Sequence, residues 1–260
     1  MEVMIKFRVK KMINKLILMT GNDIPFKEGN IIIHPPTLKE IGVIGEDTFL
    51  MGCQLLNFSK DILSEKDKSH LSNKSNFEIF MSMMSDTQSI ELLEQKQKVF
   101  ATLFLLFPNY TFKFIPTKGI VFYQEENQCG EINESNYELF KKYIIEIFCL
   151  SKATEGNSYN PAGEKARQLA EKFKKRHQKL AELKGNNSNE IAIFSRYASI
   201  LSIGMKIPLQ EVLQNTIYQL LDLYNRFELK EYTDYYLRAC LAGAKGMKEP
   251  EDWMKDIYEN

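Results

Sequence analysis

Metal-binding and redox residues are scarce in this chain. Four cysteines (Cys53, Cys129, Cys149 and Cys240) and three histidines (His34, His70 and His177) are spread along 260 residues, with no C-x-x-C pair among them. That spacing offers no metal-ligand pattern and no disulfide framework, so reduced thiols and no metal are expected. Net charge is also missing. Lys plus Arg and Asp plus Glu each number 34, which argues against a dedicated nucleic-acid binder. There is one tryptophan. No apolar run approaches the roughly 20 residues that a membrane span requires. The glycine patterns of phosphate loops and dinucleotide folds are absent, as are G-x-S-x-G and H-E-x-x-H, so no cofactor and no catalytic constellation are expected.

What is present is the composition of a globular protein. Hydrophobic residues make up 44% and charged residues 26%. The first twenty residues, MEVMIKFRVKKMINKLILMT, carry basic residues and a short apolar run. Asn14 and Lys15 interrupt that run, which does not suit a signal peptide. Met12 is the expected natural start, with residues 1–11 as an upstream extension.

Further along, short strands are expected at Lys15–Met19 and Asn30–Ile33. Thr37 followed by Glu40 fits a capping box, so a helix should start near Leu38 after the extended His34-Pro35-Pro36. Gly42 and Gly45 should break it before a second apolar segment, Phe49–Phe58. Helices are expected over Phe77–Met84 and Ile90–Phe107, the latter stopped by Pro108. Thr111–Ile115 and Gly119–Tyr123 alternate aromatics around Pro116-Thr117-Lys118, which predicts a β-hairpin. Residues 124–133 are polar. Ser135 with Glu138 suggests a second capping box. It would open a helix whose apolar face is Tyr137, Phe140, Ile144, Ile147 and Phe148.

Residues 151–162 are rich in Gly, Pro, Ser and Asn and mark the expected linker. The expected organisation is therefore mainly α, of the α+β class. Residues 1–150 form an N-terminal α+β unit with short strands and a β-hairpin, 151–162 a linker, and 163–260 a C-terminal helical bundle. Within the last, 163–184 reads as a basic helix. Ala166, Leu169, Phe173, Leu180 and Leu183 give it a heptad-like stripe interrupted at Arg176.

The stretch Ser195–Lys245 reads as three consecutive helices. Pro208 suits the first turn of the middle one. From there Leu209, Val212, Leu213, Thr216, Ile217, Leu220, Leu221, Tyr224 and Phe227 recur on one helical face. Gly246 is a candidate for the residue just past the last helix. The run Ala239–Ala244 is made of small residues, and Cys240 within it reads as a packing residue. Tyr197, Tyr218, Tyr224, Tyr232, Tyr235 and Tyr236 exceed what a small helical core needs, and tyrosine is enriched at interfaces. Phe173, Leu180, Tyr197, Tyr218, Tyr236 and Trp253 are thus the candidate partner-binding residues. A competing class is a DNA-binding regulator using the basic helix 163–184 and a helix-turn-helix-like segment 191–227 with Gly204 in its turn.

The segment Gly204-Met-Lys-Ile-Pro-Leu-Gln-Glu-Val-Leu-Gln-Asn-Thr-Ile-Tyr-Gln-Leu-Leu221 resembles the tail assembly chaperones of long-tailed bacteriophages. The ending Leu241-Ala-Gly-Ala-Lys245 with Glu251-Asp-Trp-Met-Lys-Asp256 resembles their C-termini, and the similarity covers about the last 70 residues. The resemblance implies a non-enzymatic protein in the cytoplasm of the host bacterial cell. It implies the tail tape measure protein as partner and tail tube protein as a second one. A homo-oligomer is compatible with it, whereas a membrane or nucleic acid is not the partner it implies. Residues 1–150 lie outside the resemblance.

Overall fold

The computed structural model describes residues 13–60, 73–85, 90–150, 193–244, 246 and 249–250. The chain divides by proximity into two compact units, residues 1–150 with 192–260, and residues 151–191. The C-terminal helices therefore share a unit with the N-terminal half, a different partition from a free-standing 163–260 domain. Residues 151–191 hold the expected linker and the whole of the basic helix 163–184, and lie outside the described residues.

Asn14 dictates the first element. Its side chain accepts from Leu16 N–H and caps α1, Lys15–Thr20. This corrects the strand expected at Lys15–Met19. A side-chain cap satisfies backbone donors that a short apolar run would otherwise take into a sheet. Strands β1 (Ile24–Phe26) and β2 (Ile31–Ile33) then pair antiparallel, with Phe26 opposite Ile31, around a tight 3-10 turn at Lys27–Gly29. Ile24, Phe26, Ile31 and Ile33 point into the core and Pro25 and Ile32 away from it, the period-two alternation of a half-buried hairpin.

The capping box at Thr37 forms as its sequence spacing predicts. Glu40 N–H donates to the Thr37 hydroxyl oxygen while Thr37 N–H donates to the Glu40 carboxylate, opening α2, Leu38–Ile44. Gly45 separates it from α3, Glu46–Leu56. After residues 61–72 come α4 (Asn76–Ser85) and α5 (Ile90–Leu106), close to the apolar helices expected there.

A three-stranded antiparallel sheet follows in the order β3 (Thr111–Ile115), β4 (Gly119–Gln124), β5 (Asn127–Ile132). The first two strands are the predicted hairpin. The third lies in the polar segment 124–133, for which the sequence suggested no strand. Its turn is Glu125-Glu126 with both φ values positive, at 47° and 70°. That is the conformation of a two-residue hairpin turn, which Asn-Gly usually announces. Here the sequence carried no such signal. Helix α6, Tyr137–Ile147, closes the N-terminal half. Its entry is also a correction: Asn133 Oδ1 takes both the Ser135 N–H and hydroxyl, and Asn136 Oδ1 takes the Asn133 N–H. An Asx turn at Asn133 and the Asn136 side chain reaching back to the Asn133 N–H replace the expected Ser135–Glu138 box.

Aromatic rings form the centre. Phe26 meets Phe140 and Tyr143 edge-on, Phe49 meets Phe148, and Tyr137 stacks on Phe80. Tyr137 is fully buried and its hydroxyl donates to Leu56 O at 3.1 Å, which satisfies the polar end. Burial pushes the Tyr137 phenol and the Cys53 thiol well above their ordinary values, so both are inert packing groups.

Candidate interaction surface

The C-terminal region is built from three helical pieces: α7 (Ile193–Met205), α8 (Leu209–Val212) and α9 (Ile217–Leu241). Glu46, at the start of α3, fixes the beginning of α7. Its carboxylate accepts from Phe194 N–H at 2.7 Å and from the Ser195 hydroxyl at 3.2 Å. An acid at a helix N-terminus satisfies orphan donors and complements the helix dipole. Phe194, Ala198 and Leu201 then face the core.

Two boundaries differ from the periodic reading. Gly204 is not in the turn. It lies inside α7, where the Phe227 ring occupies the space a Cβ would need. Lys206 takes the left-handed conformation instead, φ 59°, with Ile207 N–H donating back to Ser202 O. The helix expected from Pro208 through Phe227 is also split. Residues 209–212 make one turn, and the chain restarts at Thr216. There a second capping box forms, with Gln219 N–H donating to the Thr216 hydroxyl oxygen and Thr216 N–H donating to Gln219 Oε1 at 2.8 Å. T-x-x-Q was present in the sequence and outweighs the apolar period that runs across it.

From Thr216 the helix runs unbroken to Leu241, merging what read as two helices. Gly243, φ 87°, ends it, with Ala244 N–H donating to Ala239 O and Gly243 N–H to Cys240 O. This paired pattern needs a residue in the left-handed region, which glycine adopts at no steric cost. Gly243, and not the expected Gly246, is therefore the residue just past the helix.

The two halves of α9 have different surroundings. Ile217, Tyr218, Leu220 and Asp222 are buried. Asp222 accepts from Arg226 Nε at 2.9 Å, while its other oxygen is buried without a hydrogen-bond partner among the described residues. Tyr224 stacks on Tyr197 with ring centroids 4.0 Å apart. From Glu228 to Leu241 no residue is buried. Tyr235 is 62% exposed, Leu237 53% and Leu241 89%. At about 1.5 Å per residue this exposed half is about 20 Å long. Lys230 pairs with Asp234 at 3.0 Å along its surface.

The six residues singled out from sequence fare differently. Tyr218 is in the core. Tyr197 is half-buried against Tyr224. Tyr236 lies half-buried on the distal half of α9, where a side-chain hydrogen bond with Cys240 raises its phenol above the ordinary value. Phe173, Leu180 and Trp253 lie outside the described residues, as do the basic helix 163–184 and residues 1–12. Leu237 and Leu241 were not singled out. Nothing in a helical period distinguishes an exposed leucine from a buried one.

A recognition helix would have to offer its N-terminal turn to a DNA groove. In the helix-turn-helix expected from sequence that helix opens at Pro208, which here begins only the single turn of α8, and the separate start of α9 is held against the protein: Gln219 Nε2 donates to Met19 O, and Leu38 N–H donates to Asn215 O. Elsewhere, a cavity of about 600 Å³ lies between α4 and the β3–β4 turn, floored by Phe77 and Met81. Of the candidate partner-binding residues that are described, Tyr197, Tyr218 and Tyr236, none lines it. No helix among the described residues is long and apolar enough to cross a membrane.

Residues 185–258 match the family model described as the YomV second domain. This is a phage-associated domain, and the matched range spans α7, α8 and α9. It contains the segment 204–221 that resembles phage tail chaperones, and the two findings meet at the level of phage association. No curated protein and no solved structure matches the chain.

Proposed function

We propose that this is a non-enzymatic, phage-associated assembly factor. It acts in the host cytoplasm and holds an amphipathic helical partner against the distal half of α9. The observation that carries the reading is the exposure of Tyr235, Leu237 and Leu241 on a helix whose first half is locked into the core. Large apolar side chains at such a place favour a partner that removes them from water. The partner named by the resemblance at 204–221 is the tail tape measure protein, whose long helix would otherwise expose apolar surface. Tail tube protein is the second candidate.

The test is co-expression with a tape measure protein from the same genome, scoring how much of it stays soluble and co-purifies. Soluble complex is expected with the intact chain, and its loss with Tyr235→Ala/Leu237→Ala/Leu241→Ala. Equal solubility with and without this protein would sink the chaperone reading. Retention of duplex DNA with a steep salt dependence would replace it with the regulator reading.

A further inference from the structure

The three-stranded sheet has two edges, and their outward backbone groups fare differently. At β5 the carbonyls of Cys129 and Glu131 turn away from β4. The first accepts from Asn30 Nδ2 at 2.6 Å and the second from Asn136 Nδ2 at 3.0 Å. That edge is closed by side chains. At β3 the turn decides which groups point outward. Ile115 lies opposite Gly119 and its carbonyl accepts from Lys118 N–H at 2.9 Å, so Ile115 faces β4. Along an antiparallel strand, residues alternate between facing the neighbour and facing away from it. Thr111 and Lys113 therefore face β4 as well, and Phe112 and Phe114 turn their N–H and C=O outward. No strand pairs with that side, and none of these four groups has a hydrogen-bond partner among the described residues.

The side chains beside this open edge differ by face. On one face Phe104 of α5 is 59% exposed, and its ring centroid lies 5.0 Å from that of Phe112. Phe112 is half-buried and stacks on Phe100 at 5.9 Å. On the other face Lys113 is exposed, its ammonium 5.4 Å from the centre of the Tyr123 ring. Among the described residues no carboxylate lies within ion-pair distance of it.

We propose that the open edge of β3 takes an extended segment of a partner protein as a fourth strand, with apolar side chains at alternate positions over Phe104 and Phe112 and an acidic side chain between them beside Lys113. The unpaired N–H and C=O groups of Phe112 and Phe114 select an extended chain, since only a strand presents complementary groups at that spacing. The period of two sends alternate side chains to the aromatic shelf and the one between them to the Lys113 face. Two copies of this chain paired about the middle of β3 would set Lys113 against Lys113. Like charges directly opposite are destabilising, so the occupant is a different chain. This edge is separate from the exposed half of α9 and does not depend on what that helix binds.

The test uses the full chain and two labelled, end-blocked peptides of alternating valine, one with a central glutamate and one with lysine in its place. In fluorescence anisotropy the glutamate peptide should bind about two- to fivefold more tightly, the range of a cross-strand charge pair. On binding, the Phe112 and Phe114 amides should slow in hydrogen exchange, while the Lys113 amide, which faces β4, stays level. Lys113→Glu should reverse the preference between the peptides. Should that variant fail to fold, Lys113→Gln takes its place and should level the preference. Phe104→Ala should weaken both peptides. Absence of binding overturns the proposal, as does binding that leaves Phe112 and Phe114 unprotected or a preference that Lys113→Glu leaves unchanged. Protection of those two amides that rises with protein concentration alone would make a second copy the occupant and also overturns it.

Discussion

The first half of α9, Ile217–Phe227, and the second, Glu228–Leu241, belong to one hydrogen-bonded helix yet live in different solvents. In the first, Leu220 is fully buried and the rings of Tyr224 and Phe227 lie against α7. In the second, Tyr235, Leu237 and Leu241 face water. The nucleation cost of the helix is met at the capped, buried end, and each further residue adds one hydrogen bond for one fixed residue. An anchored helix can therefore carry an exposed extension that would be marginal alone. The first half should set stability and the second should set binding.

The largest expected effect is Leu220→Ala, which deletes buried methyl groups from the anchored half. It should cost about 2–5 kcal/mol in chemical denaturation. A loss under about 1 kcal/mol would mean that the two halves are not distinguished by packing. Next is Tyr235→Ala on the extension. It should weaken binding of the helical partner by about 1–3 kcal/mol in titration calorimetry, while moving the denaturation midpoint by no more than about 0.5 kcal/mol, the surface range. A matching loss of stability would make Tyr235 part of the core and erase the contrast.

Thr216→Ala removes the cap where the anchored half begins. The expected cost is about 0.5–2 kcal/mol of stability, read as a lower denaturation midpoint with partner affinity retained at temperatures where the fold holds. The smallest effect concerns Glu40. Its folded-state pKa is lowered, so its contribution is present above the unfolded value near 4.5 and is lost as pH falls through the folded value. Glu40→Gln keeps a capping-competent side chain and should flatten the acid limb of the stability profile. An unchanged acid limb would show that other carboxylates govern it.

Parts of this fold were legible because their causes are local. Thr37 and Glu40 are three residues apart and cap their own helix. The aromatics of 111–115 and 119–123 alternate around a short turn, and the hairpin is there. Where local signals misled, a second local interaction won. Asn14 capped a run that read as a strand, and Asn133 and Asn136 took over the turn assigned to Ser135. Strand β5 was hidden because an edge strand needs few apolar residues and its Glu125-Glu126 turn is atypical. The candidate surface was legible only as a surplus of tyrosines, and Tyr218 in the core shows why such a surplus does not sort itself.

The sequence by itself determined where helices can begin and end, since caps and periodicity act over three or four residues: Thr37, Thr216 through its T-x-x-Q, and the glycine past Leu241. Tertiary structure alone decided that α7 and α9 dock on the N-terminal half, through Glu46, Met19 and Leu38. It alone decided that the helix period continuing past Phe227 would find no cover. Burial of a face depends on an element more than a hundred residues away in the chain, and no local pattern records whether that element reaches far enough.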